Sequence, residues 1–445
     1  MSDHKQNEIH SIRTQCWHLS WPAMLSGVMI PLMGMVDTAV VGRLSESKAL
    51  GAVALGAWLF DVLYWSFGFL RMGTTGLSAQ AYGKQDHNAL LLHGVRAIFI
   101  AVVLGGFLIT IASSYLEVLM PWLSPNDQQL NQLCERYFMV RICGGPAVLV
   151  NYVVMGWLLG IQKSRWVLYL QALLSSINMG LSILWGATMG VAGVATASVV
   201  AQIICALIGS FVYYQQSGIG SNRIWWQQLK QDRQAWWSLW KVNRDLMLRS
   251  ILLLLAFGAF HSVSVRQSTD LLAANALLLH LQTLQAFVLD GFAHAMEAMI
   301  GQALGAKDQI KLRLSLKVGW EFSTWASIGI TLIYIMSFEA IVRCFTQHQQ
   351  ILSLAKEYQF WAIISPICSA PCFLLDGIMI GATRSRTMFI AMFWSVSAYG
   401  LLLYVLPIYL GNHGIFLALI VFMLIRACTL YPHARLSLLS TQLNS

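Results

Sequence analysis

Charge is what this sequence has least of. Asp, Glu, Lys and Arg make up 11% of its 445 residues, against 57% hydrophobic residues and a mean hydropathy of +0.62. Soluble domains carry about twice that charged fraction, so a water-exposed globule is excluded. No GxxxxGK[ST] loop occurs, and no polar stretch is long enough to hold a nucleotide-binding domain, which removes ATP as a direct drive. The polar N-terminal arm, MSDHKQNEIHSIRTQ, has no apolar core and no small-residue cleavage site, so it is not read as a removed leader. The apolar runs lack the period-two alternation of a membrane β-barrel. The eight cysteines fall mostly within or beside apolar runs. Cys368 and Cys372 are spaced i, i+4 without a second ligand pair, so neither a metal nor another cofactor is expected. No nucleophile–base arrangement can be placed, which argues against an enzyme.

What is present is a series of apolar runs of membrane-spanning length. Twelve can be drawn, at roughly 17–42, 50–80, 92–116, 134–160, 166–187, 190–214, 242–266, 271–303, 316–337, 353–381, 388–409 and 413–435. Each can cross about 30 Å of hydrocarbon as a helix. The expected fold class is therefore an all-α membrane protein of twelve transmembrane helices. The longest connection carries WWQQLKQDRQAWW, and its tryptophans suit an amphipathic segment at the membrane interface. It divides the chain into an N-terminal six-helix lobe (1–214), a cytoplasmic linker (215–241) and a C-terminal six-helix lobe (242–445). Lys5, Arg13, Lys84, Lys163, Arg165, Arg223, Lys230, Arg233, Lys241, Arg244, Lys307, Lys311, Arg313, Lys317, Arg384, Arg386 and Arg435 fall on the same side as the N-terminus. The opposite side holds a smaller set: Arg43, Lys48, Arg136, Arg266, Arg343 and Lys356. That asymmetry predicts both termini in the cytoplasm. The net charge of +9 then reflects loops facing anionic lipid, and no nucleic-acid partner is expected.

The two halves repeat. A shift of 222 aligns QAYGKQD at Gln80 to Asp86 with QALGAKD at Gln302 to Asp308. A shift of 221 aligns Gly156, Gly160, Ser164 and Arg165 with Gly377, Gly381, Ser385 and Arg386. The same shift aligns Tyr137 with Tyr358, and Gly190 and Gly193 with Gly411 and Gly414. Copies with an even number of spans share orientation, so two six-helix bundles should be related by a pseudo-two-fold axis along the membrane normal. A cavity between such bundles near the midplane is the architecture of a transporter. The intramembrane acids do not repeat: Asp37 corresponds to Ala259, Asp61 to Thr283, Glu297 to Thr75 and Asp376 to Met155, and Asn178 corresponds to Tyr399. A duplicated scaffold does not explain groups found in one copy; a site does.

Asp37 is the most telling of them. It lies late in the first apolar run, WPAMLSGVMIPLMGMVDTAVVGRL, six residues after Pro31. An ionised Asp inside a span costs at least about 2.5–3.5 kcal/mol, so it should face protein or water, and burial favours its neutral form. A proline removes one helix hydrogen bond and permits a bend. Asn178 and Ser182 are spaced i, i+4 on one helix face, where an amide and a hydroxyl could both reach the acid. Asn151, Gln171, Thr196 and Gln202 are further polar groups in the first-half spans; each also fits the plainer role of bonding helix to helix. In the second half Asp290, His294 and Glu297 share a ridge of LDGFAHAMEAMIGQALG. A polar network of Arg71, Asp290, Glu297 and Asp376 is expected, because the mid-span Arg71 needs an acidic partner.

The runs MVDTAVVGRL, FGFLRMGTTGLSAQAYG, LDGFAHAMEAMIGQALGAKD and LDGIMIGATRSRTM resemble the multidrug and toxic compound extrusion (MATE) transporters, in particular the bacterial DinF-type branch. The resemblance extends over nearly the whole chain. It implies an antiporter of amphipathic, often cationic, organic compounds that alternates between outward- and inward-open states as a monomer in the lipid bilayer. It further implies that Asp37 couples transport to protons or sodium, that Asn178 lies in the same pocket, and that Thr196 is the sixth-helix threonine. Asp37, Asn178, Ser182 and Thr196 are thus the expected coupling group, and Asp37, Asn151, Gln171, Asn178 and Gln202 the expected substrate cavity. One departure matters: Ser182 stands where many relatives carry a second carboxylate. Sodium favours several oxygen ligands including carboxylates, so protons are the expected coupling ion, with sodium as the alternative. A translocase of amphipathic or lipid-linked precursors is the other reading. The scarcity of mid-span cations beyond Arg71, Arg249 and Arg426 argues against it.

Overall fold

The computed structural model describes residues 2–42, 47–123, 128–218, 229 and 232–439. Arg43 and residues 219–228, 230 and 231 of the linker, Arg223 and Lys230 among them, lie outside the described residues. Among those described every regular element is a helix. In order they are α1 (Ser2–Val41), α2 (Ser47–Ser66), α3 (Phe69–Gly83), α4 (His87–Leu123), α5 (Gln128–Ile142), α6 (Gly145–Gly160), α7 (Ser164–Met189), α8 (Val191–Ser217), α9 (Arg233–Val265), α10 (Thr269–Gly305), α11 (Gln309–Phe345), α12 (Gln349–Glu357), α13 (Gln359–Gly381), α14 (Ser385–Leu410) and α15 (Asn412–Leu439). Eleven spans are long and apolar enough to cross a membrane, and α5 with α6 makes a twelfth, bent by 50°. The chain is a multi-pass membrane protein of eleven to twelve spans.

The halves repeat in their backbone as well as their sequence. Gln85 and Lys307 have φ of 57° and 55°, Gln162 and Thr383 63° and 54°, and Gly190 and Gly411 62° and 54°. Each pair ends equivalent helices. Asp86 N donates to Ala81 O at 3.1 Å and Asp308 N to Ala303 O at 3.0 Å, the same wrap-around that satisfies the last carbonyls of a helix. The side chains of Asp86 and Asp308 then cap the following helices, each accepting from the third amide along at 2.9 Å. Side-chain-free contacts repeat too. A Cβ on Gly156 would collide with the backbone of Arg71, and one on Gly377 with that of Ala293, which is Arg71's counterpart.

The contacts divide the chain into two compact units, Leu25–Trp240, and Met1–Met24 with Lys241–Ser445. The first 24 residues thus pack with the second half, whereas the sequence reading placed them in the N-terminal lobe. In fact α1 runs for 40 residues, about 60 Å, well beyond one bilayer crossing. Ile12, Cys16 and Leu19, spaced as one helix face, are buried against Phe292, Ala295, Met299 and Val318. Arg13 adds an exposed ion pair to Glu321 at 2.8 Å.

Gly156→Val should destabilise the protein by about 1–3 kcal/mol, because the colliding atoms are backbone and cannot step aside. Gly180→Ala, whose Cβ meets nothing within 4 Å, should be neutral or stabilising. Thermal unfolding in detergent reads both; equal behaviour of the two variants would contradict the packing.

Candidate functional site

Asp37 is buried, with 5% of its surface exposed, near the end of α1. Ser182 of α7 donates a hydrogen bond from Oγ to its Oδ1 at 2.7 Å. The approach of the two helices depends on Gly186, one turn beyond Ser182. A Cβ there would lie 2.5 Å from Val40, which sits about one turn beyond Asp37. A larger residue would push α1 off α7 and open the bond between the two polar side chains.

The other expected partners are only partly gathered. Asn178, on the same face of α7, turns its amide to Ser198 Oγ of α8 at 2.9 Å and leaves its Oδ1 buried without a partner. Asn151 of α6 donates to Gln202 of α8, at 2.7 Å to Oε1 and 3.1 Å to the backbone carbonyl. Gln171 reaches Ser175 on its own helix at 3.4 Å. Thr196 donates back to Ala192 O at 2.7 Å, a bond within α8. Met33, Tyr64, Arg141, Val148, Leu174, Asn178, Ser198 and Gln202 line a cavity of about 30 Å³, space for little more than one water. The acid, the amide cluster and this cavity all belong to the Leu25–Trp240 unit.

Arg141 is the residue that sequence reasoning missed. It lies in α5, donates to the hydroxyl of Tyr137 and stands within electrostatic reach of Asp37 and Asp61. Its signal was an arginine inside the 134–160 run, four residues after a tyrosine. Arg96 of α4 was also missed. It is buried and pairs at 3.3 Å with Asp232, which caps α9 through its other oxygen. A wider hollow of about 550 Å³ surrounds that pair and does not include Asp37.

In the other unit Asp376 of α13 accepts from Arg426 Nη2 of α15 at 2.6 Å and from Arg249 Nη2 of α9, both arginines being buried. The guanidinium of Arg426 also lies 5.4 Å from the ring centroid of Phe422. Asp290 stands within electrostatic reach of Arg426. Glu297, 1% exposed, pairs with His294 Nδ1 at 3.1 Å. Of the expected network of Arg71, Asp290, Glu297 and Asp376, the three acids belong to this unit. Asp376 is held by the two mid-span arginines, whereas Arg71 belongs to the Leu25–Trp240 unit, where its carbonyl packs under Gly156.

The MatE family model matches residues 22–184 and again 246–406, one match in each half. The chain is 36% identical over 423 residues to the DNA damage-inducible protein F of Escherichia coli, covering 93% of this chain and 90% of that one. It is 21% identical to the probable multidrug resistance protein NorM of Thermotoga maritima, over 79% of this chain and 76% of that one. Among solved structures it resembles the Vibrio cholerae MATE transporter VcmN in the bent form, at 18% identity and a TM-score of 0.86, covering 98% of this chain and 99% of that one.

Asp376→Asn should cost about 3–5 kcal/mol of stability, since it leaves two buried guanidiniums short of their anion. Glu321→Gln, at the exposed pair with Arg13, should cost about 1 kcal/mol or less. Calorimetry or thermal melts of the two variants, side by side, check that order.

Proposed function

The chain belongs to the MatE family and is a multidrug-type membrane transporter, not an enzyme; on that premise we propose that it is a proton-coupled antiporter that exports amphipathic, cationic organic compounds, with Asp37 as the coupling acid. The observation that carries this reading is the buried Asp37–Ser182 bond in the first span. An ionised carboxylate only accepts hydrogen bonds, whereas a protonated one donates as well, so one proton changes the bonding of α1 to α7. Two conformations that hold Asp37 differently then differ in stability by an amount the proton sets. Bending of α1 near Pro31 is the motion we assign to that change, shrinking the cavity of the Leu25–Trp240 unit and expelling substrate. Asn178 and Gln202 supply polar groups to the cavity, with Asn151 bonded to Gln202 behind it and Gln171 to Ser175 on α7; Thr196 bonds within α8.

Protons suit this setting better than sodium. Ser182 brings no charge, so a sodium ion there would have one carboxylate fewer among its oxygen ligands. The names of the relatives, a multidrug resistance protein among them, support drugs as cargo. The placement of Lys and Arg in the loops supports cytoplasmic termini in a bacterial inner membrane, and one chain contains a whole pair of repeats, which supports a monomer.

Everted vesicles with separately imposed proton and sodium gradients test the reading. Wild type should move a cationic dye under the proton gradient. Asp37→Asn should abolish that movement, and Ser182→Ala should slow it about tenfold, the worth of one hydrogen bond to a charged group. Dye movement by Asp37→Asn at the wild-type rate sinks the coupling role; drive by sodium alone replaces the ion.

A further inference from the structure

The guanidinium of Arg141 sits where an organic cation would. Its Cζ lies 5.2 Å from the centroid of the Phe60 ring and 5.5 Å from that of Tyr137. Tyr64 packs on Phe60 with centroids 5.3 Å apart, and Tyr137 meets Phe60 edge-on at 6.3 Å. The hydrogen bond of Arg141 goes to a phenol, not to a carboxylate, although Asp37 and Asp61 both act on it through space. Aromatic faces backed by carboxylates are the chemistry by which proteins hold delocalised or quaternary cations. Arginine is weakly hydrated and flat, which fits it to fill such a cage from within. The cavity of about 30 Å³ adjoins this cage and is lined by Arg141, Tyr64 and Asn178. Asn178 Oδ1 and the Tyr64 hydroxyl are buried there with no hydrogen-bond partner among the described residues. Unspent oxygen atoms beside a guanidinium with five donors leave polar capacity for a second arrangement.

We propose that Phe60, Tyr64 and Tyr137, with Asp37 and Asp61, form a binding site for delocalised organic cations, and that Arg141 is its resident occupant, displaced when a substrate cation arrives. The proposal rests on the reading of the chain as an exporter of cationic amphiphiles, and adds the seat of the cation and the group that competes for it. Two cations then share one cage, so the affinity for substrate is the difference between two occupancies. Displacement also moves the Arg141 charge toward Asn178 of α7 and Ser198 of α8 at the cavity, beside the face of α7 whose Ser182 bonds the coupling acid of α1.

Purified full-length protein in detergent tests this with no ion gradient, so the result is independent of the efflux assay. Arg141→Gln removes the resident cation and keeps length and polarity. It should bind ethidium about fivefold more tightly than wild type, read by fluorescence polarisation. Arg141→Lys, which retains a cation, should bind as wild type does, and Phe60→Leu added to Arg141→Gln should cancel the gain. Arg141→Ala should melt at a higher temperature in millimolar ethylguanidinium than in equal sodium chloride, while wild type melts alike in both. A folded Arg141→Gln protein whose ethidium affinity is unchanged or weaker overturns the proposal. If Arg141→Ala does not purify, the binding by Arg141→Gln decides alone.

Discussion

A carboxylate held out of water must find a donor inside the protein, and the bond from Ser182 to Asp37 is the interaction on which the first unit turns. An ionised Asp within a span costs about 2.5–3.5 kcal/mol, and a hydrogen bond to a charged group returns about 1.5–3 kcal/mol. The two are close, so one hydroxyl nearly offsets the burial and little else is needed to tip the balance. The Arg141 guanidinium lies within electrostatic reach of the acid and donates its hydrogen bond to Tyr137. An arrangement so evenly poised is the kind that the proposed proton coupling requires. It exists only because Gly186 lets α7 come against Val40 of α1.

The second unit handles its buried charge in a different way. Two guanidiniums converge on one oxygen of Asp376, tying α9, α13 and α15 together. A neutral donor makes a bond that can be remade when protonation changes; two permanent cations make an anchor. The duplicated scaffold carries both solutions. Its helix ends, caps and glycine contacts recur at shifts of 221 and 222, while the acids sit at positions whose counterparts are Ala, Thr or Met. Duplication thus accounts for the packing, and departure from it marks the chemistry.

The features legible in the sequence are those that depend on neighbours along the chain. Hydropathy over some twenty residues makes a span, and a positive φ at Lys307 or Thr383 follows from the same local turn as at Gln85 or Gln162. The cost of Asp37 in hydrocarbon is local too, which is why it stood out. Helix pairing is a different matter. Asn178 and Ser182 share a face with equal claim to the acid, and the docking angle gave Ser182 to Asp37 and Asn178 to Ser198. The periodic face of Ile12, Cys16 and Leu19 is short and lies in a polar arm, so nothing local assigns it to the second half.

From its sequence alone this chain is an all-helical, duplicated membrane protein with a costly acid in its first span, because hydrophobicity, repeat register and the price of a buried charge are properties of segments. Only the tertiary structure decided that Ser182 meets that acid, that Arg141 lies among Phe60 and Tyr137, and that Asp376 belongs to Arg249 and Arg426. Apart from Arg141 with Tyr137, one turn apart on α5, those meetings are between different helices. They are set by where small residues let backbones approach, a property of two surfaces together that neither segment carries by itself.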